Sequence, residues 1–393
     1  MQSPLYIQYN KYIFLRQERQ EKIFAFLKRL FTFLNVLAPC TYDKILYSTV
    51  KKEETTVKKF FALMLVALMV VGCFTACSNQ DAPADTTAAG PTEPAEEAKE
   101  LKVLTLGHSL AVDSGHMLAL VAAAEGYEDL TVGTLYYSGC PLSKHVEFLQ
   151  NDAREYSLYL SSTKTADTPP KILKSVTMGE ALKQDYWDII ILQGTPFDMA
   201  EKEKYLDGNI QTIQKYVNDN KLNPNAVFGW HMAWVTPVDN DLRDTYPYPE
   251  NNIYYKKYEA YNDDRSAVYN ANAQNTSAYI ATDDSFAYLI PSGTAIENAL
   301  SSYLEEKDLH RDYAHATDFG RVIASYTWFC ALTGVEKLEE VKLDVIPKAF
   351  FKSTQGTEDR VLTQAEKDLI IESVNNALAN PFEMTQSQYT QAP

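Results

Sequence analysis

The sequence predicts an α/β fold, a three-layer α/β/α sandwich built around a parallel sheet of about five strands. Short apolar stretches alternate with amphipathic ones along residues 101–335, and this alternation is typical of a parallel sheet covered by helices on both faces. Residues 187–192 (WDIIIL) form a continuous apolar run, as expected for a strand buried on both faces. Because ligands of such folds bind at the carboxyl ends of the strands, residues that directly follow strands are the candidates for function.

Each predicted element has its own pattern in the sequence. Besides 187–192, strands are expected at 101–106, 130–137 and 226–234 and within 278–290, and helices at 117–124, 205–217, 318–332 and 363–378. Asp113 or Ser114 is expected to cap the helix at 117–124. This order predicts one domain over residues 101–335, with 336–393 as an extension packed on that domain and ending in a polar tail.

The charge of the chain changes sign along its length. The 393 residues carry a net charge of −16, but residues 1–76 hold 11 basic and 5 acidic residues, whereas residues 77–393 hold 25 and 47. An acidic body repels phosphate backbones, so nucleic acid is excluded as an expected partner. The hydrophobic content of 46% is that of a globular protein with a core.

Residues 57–77 have the pattern of a secretory signal: two lysines, an apolar run and small residues before cysteine. Residues 70–73 and 74–77 each resemble the lipobox of bacterial lipoproteins, in which the cysteine becomes the lipidated N-terminus. Cys77 is the favoured lipidation site, because polar residues follow it, and Cys73 is the alternative. We therefore expect an exported protein, lipid-anchored to the outer face of a bacterial cell membrane. An uncleaved transmembrane anchor is the competing interpretation.

Residues 1–56 precede this signal, and residues 78–100 follow it. Because a signal peptide should begin a chain, residues 1–56 are interpreted as a mis-assigned upstream extension, with Val57 as the true start. The competing view is an amphipathic segment, since residues 22–37 have helical apolar spacing. Residues 78–100 are rich in Ala, Thr, Pro, Asp and Glu, a composition that predicts a disordered acidic linker.

Four polar features follow predicted strands or precede the last long helix. Ser109 follows the first strand, Gly139 the second and Gln193 the third, while Asp312 and His315 lie just before residue 318. A hydroxyl becomes a good nucleophile when an imidazole takes its proton, and a carboxylate can orient that imidazole. Taken one at a time, each feature has another explanation: turn chemistry for the first three, or a phosphate cradle for the Ser109 turn, and surface charges at a helix start for the last.

Together these motifs resemble those of the SGNH (GDSL-like) hydrolase superfamily, most closely its DUF4886-type branch. The resemblance rests on motifs in a fixed order over about residues 101–335: Gly107-His108-Ser109-Leu110, Gly139-Cys140, Trp187 to Gln193, Arg311 to His315, and Leu332-Thr333-Gly334. It implies a flavodoxin-like sheet and a serine esterase that requires no metal and no cofactor.

The resemblance also implies the role of each residue. Ser109 would be the nucleophile, His315 the general base and Asp312 its orienting carboxylate. The oxyanion hole would comprise the N–H groups of Ser109 and Gly139 and the side-chain amide of Gln193. His108 stands where the branch usually has Asn, and Gln193 where the wider superfamily has Asn.

Three further residues are candidates for contact with a substrate: His108, His231 and Trp234. A hydrogen-bonded structural role is the alternative for His231. Residues 244–261 contain many tyrosines, whose faces stack on sugar rings or aromatic acyl groups; a loop folded over the core is the alternative. Cys140 and Cys330 are expected either as a disulfide or as two buried thiols.

These expectations combine into a carbohydrate or glycan O-acyl (acetyl) esterase at the cell surface, with a small-molecule or glycan ester as its partner. The alternative, from a different class, is a non-catalytic glycan-binding surface lipoprotein that retains the fold. The sequence leaves the acyl group and the oligomeric state undetermined.

Overall fold

The computed structural model describes residues 100–347 and 359–392, except for the side chain of His116. The strands are β1 Leu101–Gly107, β2 Leu130–Tyr136, β3 Tyr156–Ser162, β4 Lys171–Val176, β5 Ile189–Leu192, β6 Val227–His231, β7 Phe286–Ile290, β8 Val345–Ile346 and β9 Arg360–Val361. The predictions for residues 1–56, for the signal with Cys73 and Cys77, and for most of the 78–100 linker fall outside the described residues.

Thirteen α-helices lie in the described part of the chain. They are α1 Ser109–Ala124, α2 Leu142–Gln150, α3 Met178–Leu182, α4 Pro196–Met199, α5 Glu203–Leu206, α6 Asn209–Asn220, α7 Asn240–Arg243, α8 Ile253–Glu259, α9 Arg265–Tyr279, α10 Ser292–Leu300, α11 Glu306–Leu309, α12 Asp318–Thr333 and α13 Gln364–Ala379. None of these helices is both long and apolar enough to cross a membrane.

Seven strands form the central sheet in the order β4-β3-β2-β1-β5-β6-β7. Five of these strands, β2, β1, β5, β6 and β7, pair in parallel with their neighbours. This confirms the predicted fold class and the predicted number of about five parallel strands. The sequence did not predict β3 and β4, which add an antiparallel hairpin beside β2. Their side chains are mixed polar and apolar, as on a partly solvated sheet edge, so they lack the continuous apolar signal of a buried strand.

The alternation of side chains along β5 explains why this strand is apolar throughout. Ile189 and Ile191 belong to one core cluster, whereas Ile190 and Leu192 belong to the other. Helices α1, α10, α12 and α13 pack on the first face, and α2, α3, α6 and α9 cover the second. The sheet therefore lies between two helical layers, each with its own hydrophobic core.

Two helices differ from their predicted bounds, and for local reasons. Helix α1 begins at Ser109, eight residues before the predicted start, because His108 serves as its N-cap. The helix predicted at 205–217 is interrupted at Gly208, whose φ of 83° is left-handed, and so divides into α5 and α6. The first difference matters for function, because it places Ser109 at a helix N-terminus.

Cys140 and Cys330 are free, buried thiols. Of the two alternatives that the sequence left open, the structure has the thiol pair rather than the disulfide. Burial raises the pKa of each thiol to about 12, so neither is reactive at neutral pH.

The sheet reverses its winding direction at β1, which pairs with β2 on one side and β5 on the other. At such a point the connecting chains leave in opposite directions and open a crevice at the carboxyl ends of the strands. Ser109 follows β1, Gly139 follows β2 and Gln193 follows β5. The topology thus brings the polar motifs to one end of the sheet.

Candidate active site

Ser109 is the first residue of α1 and is half-buried. The first N–H groups of a helix have no intrahelical partner, and the helix dipole favours negative charge at this end. The strand-to-helix turn therefore presents both a hydroxyl and a backbone donor to the crevice.

His108 holds this turn in place from behind. Its Nδ1 accepts from the backbone N–H of Leu110 at 3.4 Å, and its Nε2 lies 3.3 Å from the carbonyl oxygen of Gly194. Burial lowers the pKa of His108 to about 4, although the Gly194 carbonyl opposes this effect. The imidazole is thus neutral at pH 7, with its proton on Nε2, and it caps the helix as an Asn side chain would.

Gln193 is fully buried and joins the strand ends together. Its Oε1 accepts from the backbone N–H of His108 at 3.1 Å, and its Nε2 donates to Nδ1 of His231 at 2.8 Å. One of its two amide hydrogens is therefore already engaged inside the protein. This geometry places Gln193 as a support of the Ser109 turn, with at most one N–H left for an oxyanion.

Two glycines are required by close approach or by backbone conformation. A Cβ atom on Gly107 would lie 2.7 Å from Gln193 Oε1, so only glycine allows this amide to reach the turn. Gly139 has a left-handed φ of 56°, and a Cβ there would face open space. Gly139 is exposed at the end of β2, where its backbone can approach a ligand.

Asp312 and His315 form a hydrogen-bonded pair in the loop before α12. Nδ1 of His315 donates to the carboxylate at 2.8 and 3.0 Å, and the backbone N–H groups of Ala314 and His315 donate to Oδ1 at 3.0 and 2.8 Å. Burial of Asp312 raises its pKa, but these hydrogen bonds outweigh burial and hold the pKa below its usual value. The ionised carboxylate fixes the proton on Nδ1 and leaves Nε2 free to act as a base.

Asp113, in the second turn of α1, clamps this loop onto the helix that begins with Ser109. Its Oδ2 accepts from the backbone N–H of Ala316 at 3.0 Å and from Arg311 at 3.1 Å, while its Oδ1 accepts from Arg321 at 2.9 and 3.0 Å. Burial opposes ionisation of Asp113, but Arg321 and Arg311 lower its pKa to about 2. The carboxylate is therefore charged and links three segments of the chain.

Two more contacts restrain the same loop. Trp234 Nε1 donates to the carbonyl oxygen of Ala314 at 3.1 Å, and the backbone N–H of Tyr313 donates to Thr245 Oγ1 at 2.9 Å. Trp234 is fully buried, so it supports the loop from inside the protein.

These clamps bring His315 to the Ser109 end of α1. Asp113 and Ser109 are four residues apart in one helix and so share a face. Because Asp113 accepts from the backbone N–H of Ala316, the residue that follows His315, the imidazole is tethered beside that face. Within the described residues, no hydrogen bond joins Ser109 Oγ to His315; such pairs commonly tighten only when substrate binds.

A group of tyrosines, Tyr246, Tyr254 and Tyr313, borders His315; we refer to it as the tyrosine cluster. The ring of Tyr313 lies 5.5 Å from the imidazole of His315 and 5.0 Å from the rings of both Tyr246 and Tyr254. The tyrosine-rich segment thus folds against the loop of Asp312 and His315, and it presents aromatic faces next to the imidazole.

The predicted site residues fall into two groups. Ser109, Gly139, Asp312 and His315 are partly or fully exposed at one end of the sheet, whereas His108, His231 and Trp234 are buried and contact other protein groups. Burial gives these last three residues supporting positions rather than positions that contact a substrate. In the described ranges, no cluster of three or more His, Cys, Asp or Glu side chains could hold a metal ion.

Sequence reasoning missed the role of Asp113, which it interpreted only as a helix cap. Arg311 and Arg321, which pair with Asp113, lie about two hundred residues further along the chain. The signal available was an arginine inside the apolar helix at 318–332, since a buried guanidinium requires an acidic partner.

Comparison with known proteins identifies the family. The model of the family described as a domain of unknown function, DUF4886, matches residues 102–346, more than half of the chain. The chain belongs to the DUF4886 family. No curated protein matches it.

Two solved structures are similar to the chain. A DUF4886 family protein from Bacteroides uniformis is 22% identical, with a TM-score of 0.59 over 75% of this chain and 100% of that protein. A Slackia heliotrinireducens protein, provisionally assigned as an SGNH hydrolase, is 16% identical, with a TM-score of 0.37 over 59% of this chain and 99% of its own. The first likeness supports the α/β fold of this DUF4886 member.

Proposed function

We propose that this protein is a serine ester hydrolase of the SGNH type, with Ser109, His315 and Asp312 as its catalytic residues. The observation that carries the proposal is the Asp312–His315 hydrogen-bonded pair, held by Asp113 against the helix that begins with Ser109. An oriented imidazole beside a serine at a helix N-terminus is the arrangement that nucleophilic catalysis requires.

The reaction then follows from the protonation states. Nε2 of His315 accepts the Ser109 hydroxyl proton while Oγ attacks the ester carbonyl carbon. The imidazolium gives this proton to the leaving oxygen, the ester C–O bond breaks, and an acyl-serine remains. A water molecule attacks the acyl-serine by the same proton transfers and releases the acid. Asp312 stabilises the imidazolium throughout.

The negative charge that develops on the carbonyl oxygen would be bound by backbone N–H groups. We assign the N–H of Ser109 and the N–H of Gly139, which lie at the carboxyl ends of adjacent strands. One such donor is worth roughly 3 kcal/mol of barrier. Gln193 supports the turn and has one amide hydrogen to add.

For the substrate we propose an O-acyl, especially acetyl, ester of a carbohydrate. The tyrosine cluster beside His315 supports this proposal, because aromatic faces stack on sugar rings. The signal pattern at 57–77 supports a lipid-anchored location on the outer face of the bacterial membrane, through Cys77 or Cys73.

Hydrolysis of p-nitrophenyl acetate by the purified protein and by its Ser109→Ala variant tests the proposal. We expect turnover by the wild type and a loss of at least about a thousandfold in the variant. Labelling with a fluorophosphonate probe, mapped by mass spectrometry, should modify Ser109 alone. Acetate release from acetylated xylan, pectin and peptidoglycan fragments then tests the substrate class.

The glycan-binding alternative predicts a different result. If the wild type is inert and no fluorophosphonate attaches to Ser109, the hydrolase proposal fails. If aryl esters are cleaved but none of the acetylated glycans releases acetate, the carbohydrate substrate alone is wrong.

A further inference from the structure

Lys257 places a positive charge at the edge of the candidate active site. Its Nζ lies 5.0 Å from the centre of the Phe197 ring. Phe197 is in α4, in the segment that continues from Gln193 and from the Gly194 carbonyl facing His108. Burial is the main cause that lowers the pKa of His108, and the positive charge of Lys257 adds a small contribution in the same direction.

The side of α8 that carries Lys257 also carries Tyr254 of the tyrosine cluster. Tyr254 is one helical turn before Lys257, so the two side chains share a side of the helix. The ring of Tyr254 lies 5.0 Å from that of Tyr313, which contacts His315, and 6.3 Å from that of Phe197. The tyrosine cluster and the Lys257 ammonium thus border one surface.

Lys257 has no carboxylate partner in the part of the chain that the structure describes. Among the described residues, no Asp or Glu oxygen lies within 4.0 Å of Lys257 Nζ. The Lys257 side chain is only half-buried. Elsewhere the chain is strongly acidic, with a net charge of −16. A lysine beside the site with no carboxylate partner among the described residues is therefore a group that can favour a negatively charged ligand.

We propose that Lys257 selects ester substrates that carry a carboxylate on their alcohol portion, such as acylated acidic sugars. This inference rests on the proposed function and adds the charge of the substrate to it. The tyrosine cluster would hold the sugar ring and Lys257 its carboxylate.

The alcohol side follows from the chemistry of the imidazole. His315 protonates the leaving oxygen, so the leaving alcohol lies on the imidazole side of the ester. Tyr313 and Tyr254 border that side, and Lys257 is next to Tyr254 on the same helix. A carboxylate on the acyl portion would point away from this surface.

Two aryl acetates that differ in one charge test the proposal. The first is 3-acetoxybenzoate, whose leaving group carries a carboxylate, and the second is its methyl ester, which is neutral. Acetate release gives kcat/KM for each substrate, and their ratio measures charge selection. We expect Lys257→Gln to lower this ratio roughly fivefold at low salt, Lys257→Arg to retain it, and added salt to reduce it in the wild type.

Lys256→Gln is the matched control, because Lys256 is the neighbouring exposed lysine on the same helix. Equal ratios in Lys257→Gln, Lys256→Gln and the wild type would overturn the inference. The inference would also be overturned if Lys257→Gln changed only the ratio of kcat/KM for p-nitrophenyl succinate to that for p-nitrophenyl butyrate. These two esters differ in a carboxylate on the acyl side. Failure of the proposed function is distinct: the wild type would then release no acetate from either aryl ester.

Discussion

Replacing Asp113 by Asn tests the link between the two halves of the candidate site. The side chain is 2% exposed and accepts hydrogen bonds from Arg311, Arg321 and the backbone of Ala316. Asn removes the charge and puts an NH₂ group where one carboxylate oxygen accepted. The NH₂ group of Asn would then face either the guanidinium of Arg321 or the backbone N–H of Ala316, which are both donors. One of these two hydrogen bonds is therefore lost.

Two independent arguments give the size of the effect. Lowering the pKa of Asp113 from 3.8 to about 2 corresponds to roughly 2 kcal/mol of folding free energy at neutral pH. Removing one partner of a buried ion pair costs about 3–5 kcal/mol, and Arg321 is 1% exposed. We therefore expect the free energy of unfolding to fall by about 2–5 kcal/mol.

The pH dependence has a defined sign. A carboxyl group whose pKa is lowered by folding stabilises the protein above its unfolded pKa, and this stability is lost as pH falls through the folded pKa. The difference in stability between wild type and Asp113→Asn should therefore be full above pH 5 and shrink between pH 4 and pH 2.

Urea unfolding gives the stability, and p-nitrophenyl acetate hydrolysis under folding conditions gives the activity. We expect kcat/KM of Asp113→Asn to drop by about tenfold to a hundredfold, because the loop of His315 is displaced from Ser109. Asp318→Asn is the matched control, since Asp318 also pairs with Arg321 at 2.9 Å but is partly exposed, and its carboxylate has no hydrogen bond to the loop of His315 among the described residues. It should lose about 1 kcal/mol and retain activity. Equal effects of the two variants on stability and activity would refute the reasoning.

Three other predictions follow from single contacts. Asp312→Asn should lower kcat for p-nitrophenyl acetate by roughly 10³–10⁴-fold with little loss of stability, because the amide no longer fixes the imidazole tautomer; an unchanged kcat would exclude the triad. Gly107→Ala should destabilise the protein by about 1–3 kcal/mol in urea unfolding, since its Cβ would lie 2.7 Å from Gln193 Oε1. Cys140 and Cys330, buried with pKa values of about 12, should remain unalkylated by iodoacetamide in the native protein and react after denaturation, as mapped by mass spectrometry; labelling of either in the native state would contradict their burial.

Much of the fold could be predicted from local patterns. The continuous apolar run at 187–192 predicted a strand buried on both faces, and the structure confirms it, since Ile189 and Ile190 belong to the two opposite core clusters. The hairpin of β3 and β4 could not be predicted in this way, because an edge strand has no continuous apolar run and its pairing partner is what defines it. The start of α1 was also missed, since His108 is an uncommon N-cap.

In the candidate site, too, some features follow from local sequence and others depend on distant partners. Asp312 and His315 are three residues apart, so one turn of chain brings them into contact and the sequence alone predicts the pair. Gln193, predicted for the oxyanion hole, also has contacts that the sequence did not predict, with the backbone of His108 and the ring of His231. Its role depends on which neighbours the sheet supplies, and no local pattern contains that information.

By itself, therefore, the sequence determined what short-range periodicity and spacing encode: an alternating α/β chain, the polar residues at strand ends and the carboxylate–imidazole pair. Only the tertiary structure decided which distant groups meet, such as Asp113 with Arg321, or Tyr313 with Tyr254. The physical reason is that buried charges and aromatic faces are satisfied by partners far along the chain, and the strand order of the sheet selects those partners.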